Sequence, residues 1–225
     1  MSEQPVSFRN VIFDVDGTLL NTIDDLADAS NWVCRNHGWP THTVEEYKQF
    51  VGNGIPALLR RLIPGEWYTP EGVRQILEEF NPYYDAHKED KTAPYSGISE
   101  MLSQLKAAGV NMAVLSNKAH QFVRPLIERY FPGTFSRAQG ALDGVPGKPD
   151  PILLFRLMVE MGATAEDTLF VGDSNVDIQT AKNAGVSSCG VLWGFRTRLE
   201  LEEEGAAYLA RTPEELKELI LGHES

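Results

Sequence analysis

Short apolar segments alternate with amphipathic segments over most of the chain. The apolar segments end in polar residues or glycine, as expected where a buried strand leaves a sheet. We predict strands at residues 11–13, 111–115, 168–171 and 187–192, with a short edge strand at 207–209. Nearly continuous apolar strands of this kind are typical of a parallel sheet that is covered on both faces.

The segments between these strands have the apolar spacing of amphipathic helices. Ile98, Met101 and Leu105 would lie on one helical face, and Gly109 follows as a stop signal. We predict helices at residues 98–108, 119–130, 150–161, 176–184 and 213–221. The regular alternation of strands and helices predicts an α/β fold with a doubly wound parallel sheet.

One long stretch after the first strand departs from this alternation. Between residues 20 and 91 the pattern contains no convincing strand, and it predicts helices at 24–37, 44–50, 55–62 and 70–87. An insertion of about 70 residues is too long for a simple crossover. We therefore expect two domains: an α/β core formed by residues 1–20 and 92–225, and a small helical cap domain formed by residues 21–91.

Composition and charge narrow the classes of function. The chain has 225 residues, 42% of them hydrophobic, and a formal net charge of −12. Without a basic patch, this charge argues against nucleic acid or an anionic membrane as a partner. No apolar stretch approaches the roughly 20 residues of a membrane helix. Cys34 and Cys189 lack metal-ligand spacing, so reduced thiols and a cytoplasmic location are expected.

Polar side chains cluster where the predicted strands end, at the edge of the sheet where ligands bind in such folds. These residues are Asp14, Asp16, Ser116, Asn117, Asp173 and Asp177. Lys148 precedes a predicted helix and would reach the same edge. Taken singly, each has an ordinary explanation: an acidic turn for Asp14 and Asp16, helix capping for Ser116 or Asp177, and a surface lysine for Lys148.

Together these residues suit phosphoryl transfer. The carboxylates of Asp14, Asp173 and Asp177 are hard oxygen ligands of the kind that Mg²⁺ prefers. Lys148 and Ser116 could bind phosphoryl oxygens, and an aspartate such as Asp14 can attack phosphorus. Asp16 could then protonate the leaving oxygen and later activate water.

In these residues the chain resembles the haloacid dehalogenase superfamily of phosphotransferases. The four motifs of that superfamily occur in order, as FDVDGTL at 13–19, LSNK at 115–118, GKPDP at 147–151 and VGDSNVD at 171–177. The helical insertion after the first motif resembles the small α-helical cap of the family. The resemblance implies a phosphomonoester hydrolase that depends on Mg²⁺.

The resemblance also implies a role for each motif residue. Asp14 would be the nucleophile and a metal ligand, and Asp16 the general acid and base, with its backbone carbonyl on the metal. Asp173 would be a further metal ligand, and Asp177 would support the metal's water shell or orient Lys148. Dehalogenating members lack the acid at the position of Asp16, so the match points to phosphate chemistry.

Within the superfamily, the phosphoglycolate phosphatases are the most similar group. The segment FVGNGIP at 50–56 resembles their cap loop, which makes Gly52, Asn53 and Gly54 candidate substrate-binding residues. A plain turn between two helices would explain the same glycines equally well. Ser116, Asn117 and Lys148 would bind the phosphate of a small phosphorylated metabolite, with phosphoglycolate as the leading substrate.

Several alternatives stay open from the sequence. Pyrophosphate, nucleoside monophosphates or sugar phosphates would suit the same chemistry, and a phosphomutase of the β-phosphoglucomutase type would share the mechanism. A receiver-like signalling domain also groups aspartates and a lysine around Mg²⁺, although it would lack the insertion. An interaction module would leave the four motifs without a role. The protein could be a monomer or a homodimer.

Overall fold

The computed structural model describes residues 7–222, so the predicted core extends at both ends beyond the described residues. The strands are β1 (Asn10–Phe13), β2 (Leu20–Asn21), β3 (Ala93–Pro94), β4 (Asn111–Ala119), β5 (Arg137–Ala141), β6 (Thr168–Gly172), β7 (Ser187–Val191) and β8 (Tyr208–Ala210). Six of them form one parallel sheet in the order β5-β4-β1-β6-β7-β8. The predicted α/β fold class is confirmed.

Ten helices lie between and after the strands of the described residues. They are α1 (Ile23–Asn36), α2 (Val44–Phe50), α3 (Gly54–Leu62), α4 (Pro70–His87), α5 (Ile98–Ala107), α6 (His120–Tyr130), α7 (Ile152–Met161), α8 (Asn175–Ala184), α9 (Arg198–Glu204) and α10 (Pro213–Leu221). Alternate residues of β1 pack on opposite faces: Val11 and Phe13 join one buried apolar cluster and Ile12 joins another. Both faces of the sheet are therefore buried, which explains the continuous apolar strands.

The structure differs from the predicted elements in a few places. The edge strand β5 has the sequence RAQGA and is only partly buried, and it carries no apolar run that could be recognised. The helix α9 was also not predicted. The prediction that the second strand ends at residue 115 is wrong, because β4 continues to Ala119.

The last part of β4 contains a bulge that shapes the site. Leu115 pairs with Gln139, and Ala119 pairs with Ala141, so four steps along β4 match two along β5. Between these pairs, three residues of β4, Ser116, Asn117 and Lys118, lie opposite the single residue Gly140 of β5. A bulge of this kind changes the direction of side chains at the end of a strand.

The four helices α1 to α4, here called the helical insert, pack around their own apolar cluster. Leu59, Ile76 and Phe80 are completely buried there, and Phe122 of α6 and Phe195 join the same cluster from the sheet side. The chain enters and leaves the insert through the antiparallel pair β2–β3. The carboxylate of Asp25 accepts hydrogen bonds from the backbone amides of Lys91 and Thr92, which fixes the returning segment.

Among residues 7–222, no helix has the length and apolar character needed to cross a membrane.

Candidate active site

Asp14 lies directly after the central strand β1. Its backbone amide donates to the carbonyl of Val171 at 2.9 Å, and its side chain is almost fully buried. The chain then turns at Gly17, whose φ is +83°, and a Cβ at Gly17 would lie 2.2 Å from Asp173 Oδ2. Glycine is required here both by the backbone angle and by the close approach of a carboxylate.

Asp14, Asp173 and Asp177 form a buried group of carboxylates. One oxygen from each lies within 4.8 Å of the others. Asp173 Oδ2 accepts a hydrogen bond of 2.7 Å from the backbone amide of Phe195. A Cβ at Gly194 would lie 2.2 Å from the Cβ of Asp173, so two glycines hold this aspartate closely. The structure thus brings together three acids that are far apart in sequence.

Lys148 lies between two of these acids. Its Nζ is 2.6 Å from Asp177 Oδ1 and 2.9 Å from Asp14 Oδ1. The second oxygen of Asp177 accepts from the backbone amide and the hydroxyl of Ser174, in a capping box at the start of α8. Both oxygens of Asp177 are therefore engaged, which favours its role in orienting Lys148.

One oxygen of the Asp14 carboxylate has an ion pair with Lys148 but no hydrogen bond. Lys148 Nζ approaches Asp14 Oδ1 but not along a hydrogen-bond direction, and this buried atom accepts no hydrogen bond from residues 7–222. A buried oxygen without a partner carries an energetic penalty unless a ligand satisfies it. The all-carboxylate set and its glycine cradle fit a hard divalent cation held by Asp14 and Asp173.

Burial and mutual repulsion shift the pKa values of the buried acids. Burial is the largest cause that raises the pKa of Asp14 to about 6; the charge of Lys148 opposes it, and Asp177 and Asp16 add to it. Burial, with the charges of Asp177 and Asp14, also raises the pKa of Asp173 well above its usual value. For Lys148, burial acts to lower the pKa, but the charges of Asp14 and Asp177 outweigh it and raise the pKa. Lys148 therefore stays a cation beneath the carboxylates.

Asp16 lies on the other side of the turn, facing the helical insert. Thr22 Oγ1 donates to its Oδ1 at 2.7 Å. Lys118 Nζ donates to Oδ1 at 3.0 Å and to Oδ2 at 3.3 Å. Its side chain is 22% exposed, whereas that of Asp14 is 9% exposed, so Asp16 is the more accessible acid.

The bulge of β4 brings Ser116 and Asn117 to the same rim. Asn117 Nδ2 donates to the carbonyl of Gly52 at 3.0 Å and to that of Lys148 at 2.9 Å, so this amide joins the helical insert to the lysine segment. Ser116 is buried beside them. The alternative that Ser116 caps the next helix is wrong, because the N-cap of α6 is Ala119.

A cavity that is partly open to solvent lies between the acids and the helical insert. Its floor contains Asp14, Asp16 and Ser116. Much of its opposite wall is apolar, and the residues of that wall are Leu26, Val51, Ile55, Leu58 and Phe195. Gly52 and Gly54 line the cavity, whereas Asn53 lines a neighbouring polar cleft with Arg61 and Glu203.

Two cations at the cavity were given no role from the sequence. Lys118 belongs to the LSNK motif, which was the one available signal, and it contacts Asp16. Arg196 donates to the carbonyls of Lys48 and Val51, the latter at 2.9 Å, and so holds the connection between α2 and α3. No local pattern marks Arg196, because its partners are backbone atoms far away in sequence.

Comparisons with known proteins identify the family. The model of the haloacid dehalogenase-like hydrolases matches residues 11–191. The phosphoglycolate phosphatase of Pseudomonas syringae pv. syringae is 38% identical over 94% of this chain and 78% of its own length. That of Thiobacillus denitrificans is 32% identical over 90% of this chain and 93% of its own length.

Solved structures give the same result. The crystal structure of a candidate phosphoglycolate phosphatase from Lactobacillus delbrueckii subsp. bulgaricus is 34% identical, covers 96% of this chain and 99% of its own, and superposes with a TM-score of 0.90. Both the sequence motifs and the fold lead to one assignment. The chain belongs to the haloacid dehalogenase-like hydrolase family and is a phosphatase, a phosphoric monoester hydrolase, within it.

Proposed function

We propose that the chain hydrolyses a small phosphate monoester, with phosphoglycolate as the leading substrate, through an aspartyl-phosphate on Asp14 and with Mg²⁺. The observation that carries the proposal is the pairing of two differently placed acids. Asp14 is buried and ion-paired with Lys148, while Asp16 lies beside it and is more exposed. One acid suits attack on phosphorus, and the other suits proton transfer.

In the first step, an oxygen of Asp14 forms a bond to phosphorus and the bond from phosphorus to the leaving oxygen breaks. Asp16 gives its proton to that leaving oxygen. In the second step, Asp16 takes a proton from water, the water oxygen bonds to phosphorus, and the bond to Asp14 breaks. Inorganic phosphate and the alcohol are released, and both acids return to their starting states.

The other residues at the rim position the phosphate. Lys148 offsets the charge that develops on the phosphoryl oxygens, and Asp177 holds its ammonium in place. Ser116 and Asn117 orient the phosphate and its surroundings. Mg²⁺, held by the carboxylates of Asp14 and Asp173 and the backbone carbonyl of Asp16, with Asp177 behind them, would supply positive charge that lets an anion approach an anion.

We infer that the helical insert acts as the cap and selects the substrate. Its apolar wall of Leu26, Val51 and Leu58 offers few hydrogen-bonding partners to a sugar with several hydroxyl groups. A small leaving group suits this wall better. The relatives named phosphoglycolate phosphatase also support a small substrate. Closure of the cap would exclude water until the phosphoryl group has reached Asp14.

The test is a panel of phosphate esters with Mg²⁺, read as released phosphate, on the wild type and on Asp14→Asn. The panel contains phosphoglycolate, pyrophosphate, a nucleoside monophosphate and hexose phosphates. We expect Asp14→Asn to lower the activity by at least about 10³-fold, because the variant has no nucleophile. Activity that survives this substitution would refute the nucleophile, and a transferred product without phosphate release would identify a phosphomutase.

A second variant separates the two steps. In Asp16→Asn, we expect the phosphoenzyme to form slowly and to persist, because neither the leaving oxygen nor the attacking water exchanges a proton with this side chain. The amount of trapped phosphoenzyme is measured as the ³²P label that stays on the protein after an acid quench. Normal turnover of Asp16→Asn would show that the acid–base role belongs elsewhere.

A further inference from the structure

Lys118 is a second buried lysine at the site, and the steps above do not use it. Its side chain is only 3% exposed. Its ammonium donates to both oxygens of Asp16, at 3.0 and 3.3 Å, and to the hydroxyl of Tyr84 at 2.6 Å. The nearest acid of this lysine is therefore Asp16, while Lys148 faces Asp14 and Asp177.

These contacts use the whole hydrogen-bonding capacity of the ammonium. A lysine ammonium has three N–H donors, and Asp16 and Tyr84 supply three acceptors for them. A buried ammonium is stable only when its donors and charge are satisfied in this way. Lys118 is therefore placed to hold Asp16, and it has no remaining donor for a phosphate.

Tyr84 connects this pair to the helical insert. It lies on α4, its side chain is completely buried, and its ring packs edge-to-face on Phe122 of α6, with 5.4 Å between ring centres. The Lys118 ammonium also lies 4.8 Å from the centre of the Tyr84 ring. One tyrosine of the insert thus meets both the sheet side of the protein and the lysine that holds Asp16.

We propose that Lys118 is a positioning residue for Asp16, and that Tyr84 makes this placement depend on the docking of the helical insert. The proposal rests on the acid–base role of Asp16 in the proposed function. With the insert docked, Lys118 and Thr22 fix the Asp16 carboxylate from two sides. When the insert moves away, Lys118 loses Tyr84 and keeps only its contacts with Asp16, so the orientation of Asp16 is held less firmly and proton transfer is slower.

Comparing two substrates with different leaving groups tests the positioning role, because a purely structural defect would slow both substrates alike. An alkyl phosphate needs a proton on its leaving oxygen, whereas p-nitrophenyl phosphate, whose leaving group is a weak base, hardly needs one. In single turnovers of Lys118→Met, we expect release of the alcohol from phosphoglycolate to slow by about 100-fold and release of p-nitrophenol by less than about fivefold. Asp16→Asn should show the same selective loss.

Tyr84→Phe tests the link to the insert with a change of one oxygen atom. We expect a selective loss in the same direction, about threefold to tenfold on phosphoglycolate, which corresponds to one hydrogen bond. Lys106→Met is the matched control, because Lys106 is an exposed lysine on α5. It should behave like the wild type with both esters.

The outcomes distinguish this inference from the proposed function. If Asp14→Asn is inactive but Lys118→Met slows both esters equally, or slows neither, the positioning role is wrong while the nucleophile stands. If Asp14→Asn retains activity, the proposed function itself fails. Should Lys118→Met not fold, as judged by its circular dichroism and thermal transition, equal rates of Tyr84→Phe and wild type on phosphoglycolate would still overturn the link.

Discussion

The buried aspartates of the site lower the stability of the metal-free fold. Asp14 and Asp173 are buried close to Asp177, and burial, with the charges of Asp177 and Asp16, raises the pKa of Asp14 to about 6 against the opposing charge of Lys148. A group whose pKa is higher in the folded than in the unfolded state stabilises the fold below its unfolded pKa, and this contribution is lost as the pH rises through the folded pKa. The ionised site therefore weakens the metal-free fold at neutral pH.

Asp173→Asn should relieve this repulsion. At pH 8 and in the presence of EDTA, we expect the variant to exceed the wild type in free energy of unfolding by about 1–3 kcal/mol. The difference should shrink towards pH 4, because the raised pKa values of Asp14 and Asp173 favour their protonated forms there. Urea titrations at both pH values measure it. A variant that is less stable than the wild type at pH 8 would show that repulsion among the acids is not dominant.

Arg196 shows how the connection between two short helices is controlled from the sheet side. Its guanidinium donates to the carbonyls of Lys48 and Val51, and Asn117 donates to the carbonyl of Gly52. These acceptors are backbone atoms at and beyond the end of α2. Side chains from the sheet side therefore hold the segment that carries Gly52 and Gly54 over the cavity.

Arg196→Met should loosen this segment while all the aspartates of the site are kept. We expect kcat/KM for phosphoglycolate to fall about tenfold, because charge-assisted hydrogen bonds to the segment are lost. Steady-state kinetics with a thermal melt for each variant measure this. Arg198→Met is the control, since Arg198 is a half-exposed neighbour that pairs with Glu202 on α9. Equal kinetics for the two variants would contradict the prediction.

The acidic character of the chain as a whole raises the question of how an anionic substrate is bound. The net charge is −12, yet the cavity region contains Lys118, Lys148 and Arg196, all buried. These cations are each paired with acids or carbonyls, so little free positive charge remains at the site. A bound divalent cation would reverse the local field, which is the physical reason to expect one.

Mg²⁺ should therefore stabilise the folded protein. At a concentration near 100 times its dissociation constant, binding contributes about 2.7 kcal/mol. For a chain of this length, that raises Tm by about 5–10 °C. Differential scanning fluorimetry with and without Mg²⁺ measures the shift. It should disappear in Asp14→Asn and remain in Asp143→Asn, which removes an exposed acid. An equal shift in both variants would place the metal elsewhere.

Much of this protein could be predicted before the structure was described. The buried strands β1, β6 and β7 appear as apolar runs because both of their faces are covered. The helices α2, α4 and α10 begin and end where predicted, since capping residues and prolines act within one turn. The strand β5 was not predicted because a partly buried edge strand needs no apolar run.

The sequence by itself determined the family, the α/β fold class and the set of acids and lysine at the ends of the strands, because these follow from local burial and from motifs of a few residues. The extents of the two domains and the roles of the site residues stay predictions. Only the tertiary structure decided that Lys118 meets Asp16 and Tyr84, and that Arg196 meets Val51. These contacts join positions 102, 34 and 145 residues apart. Periodicity reports which side chains are buried, but the partner of a long cationic side chain depends on which elements pack together.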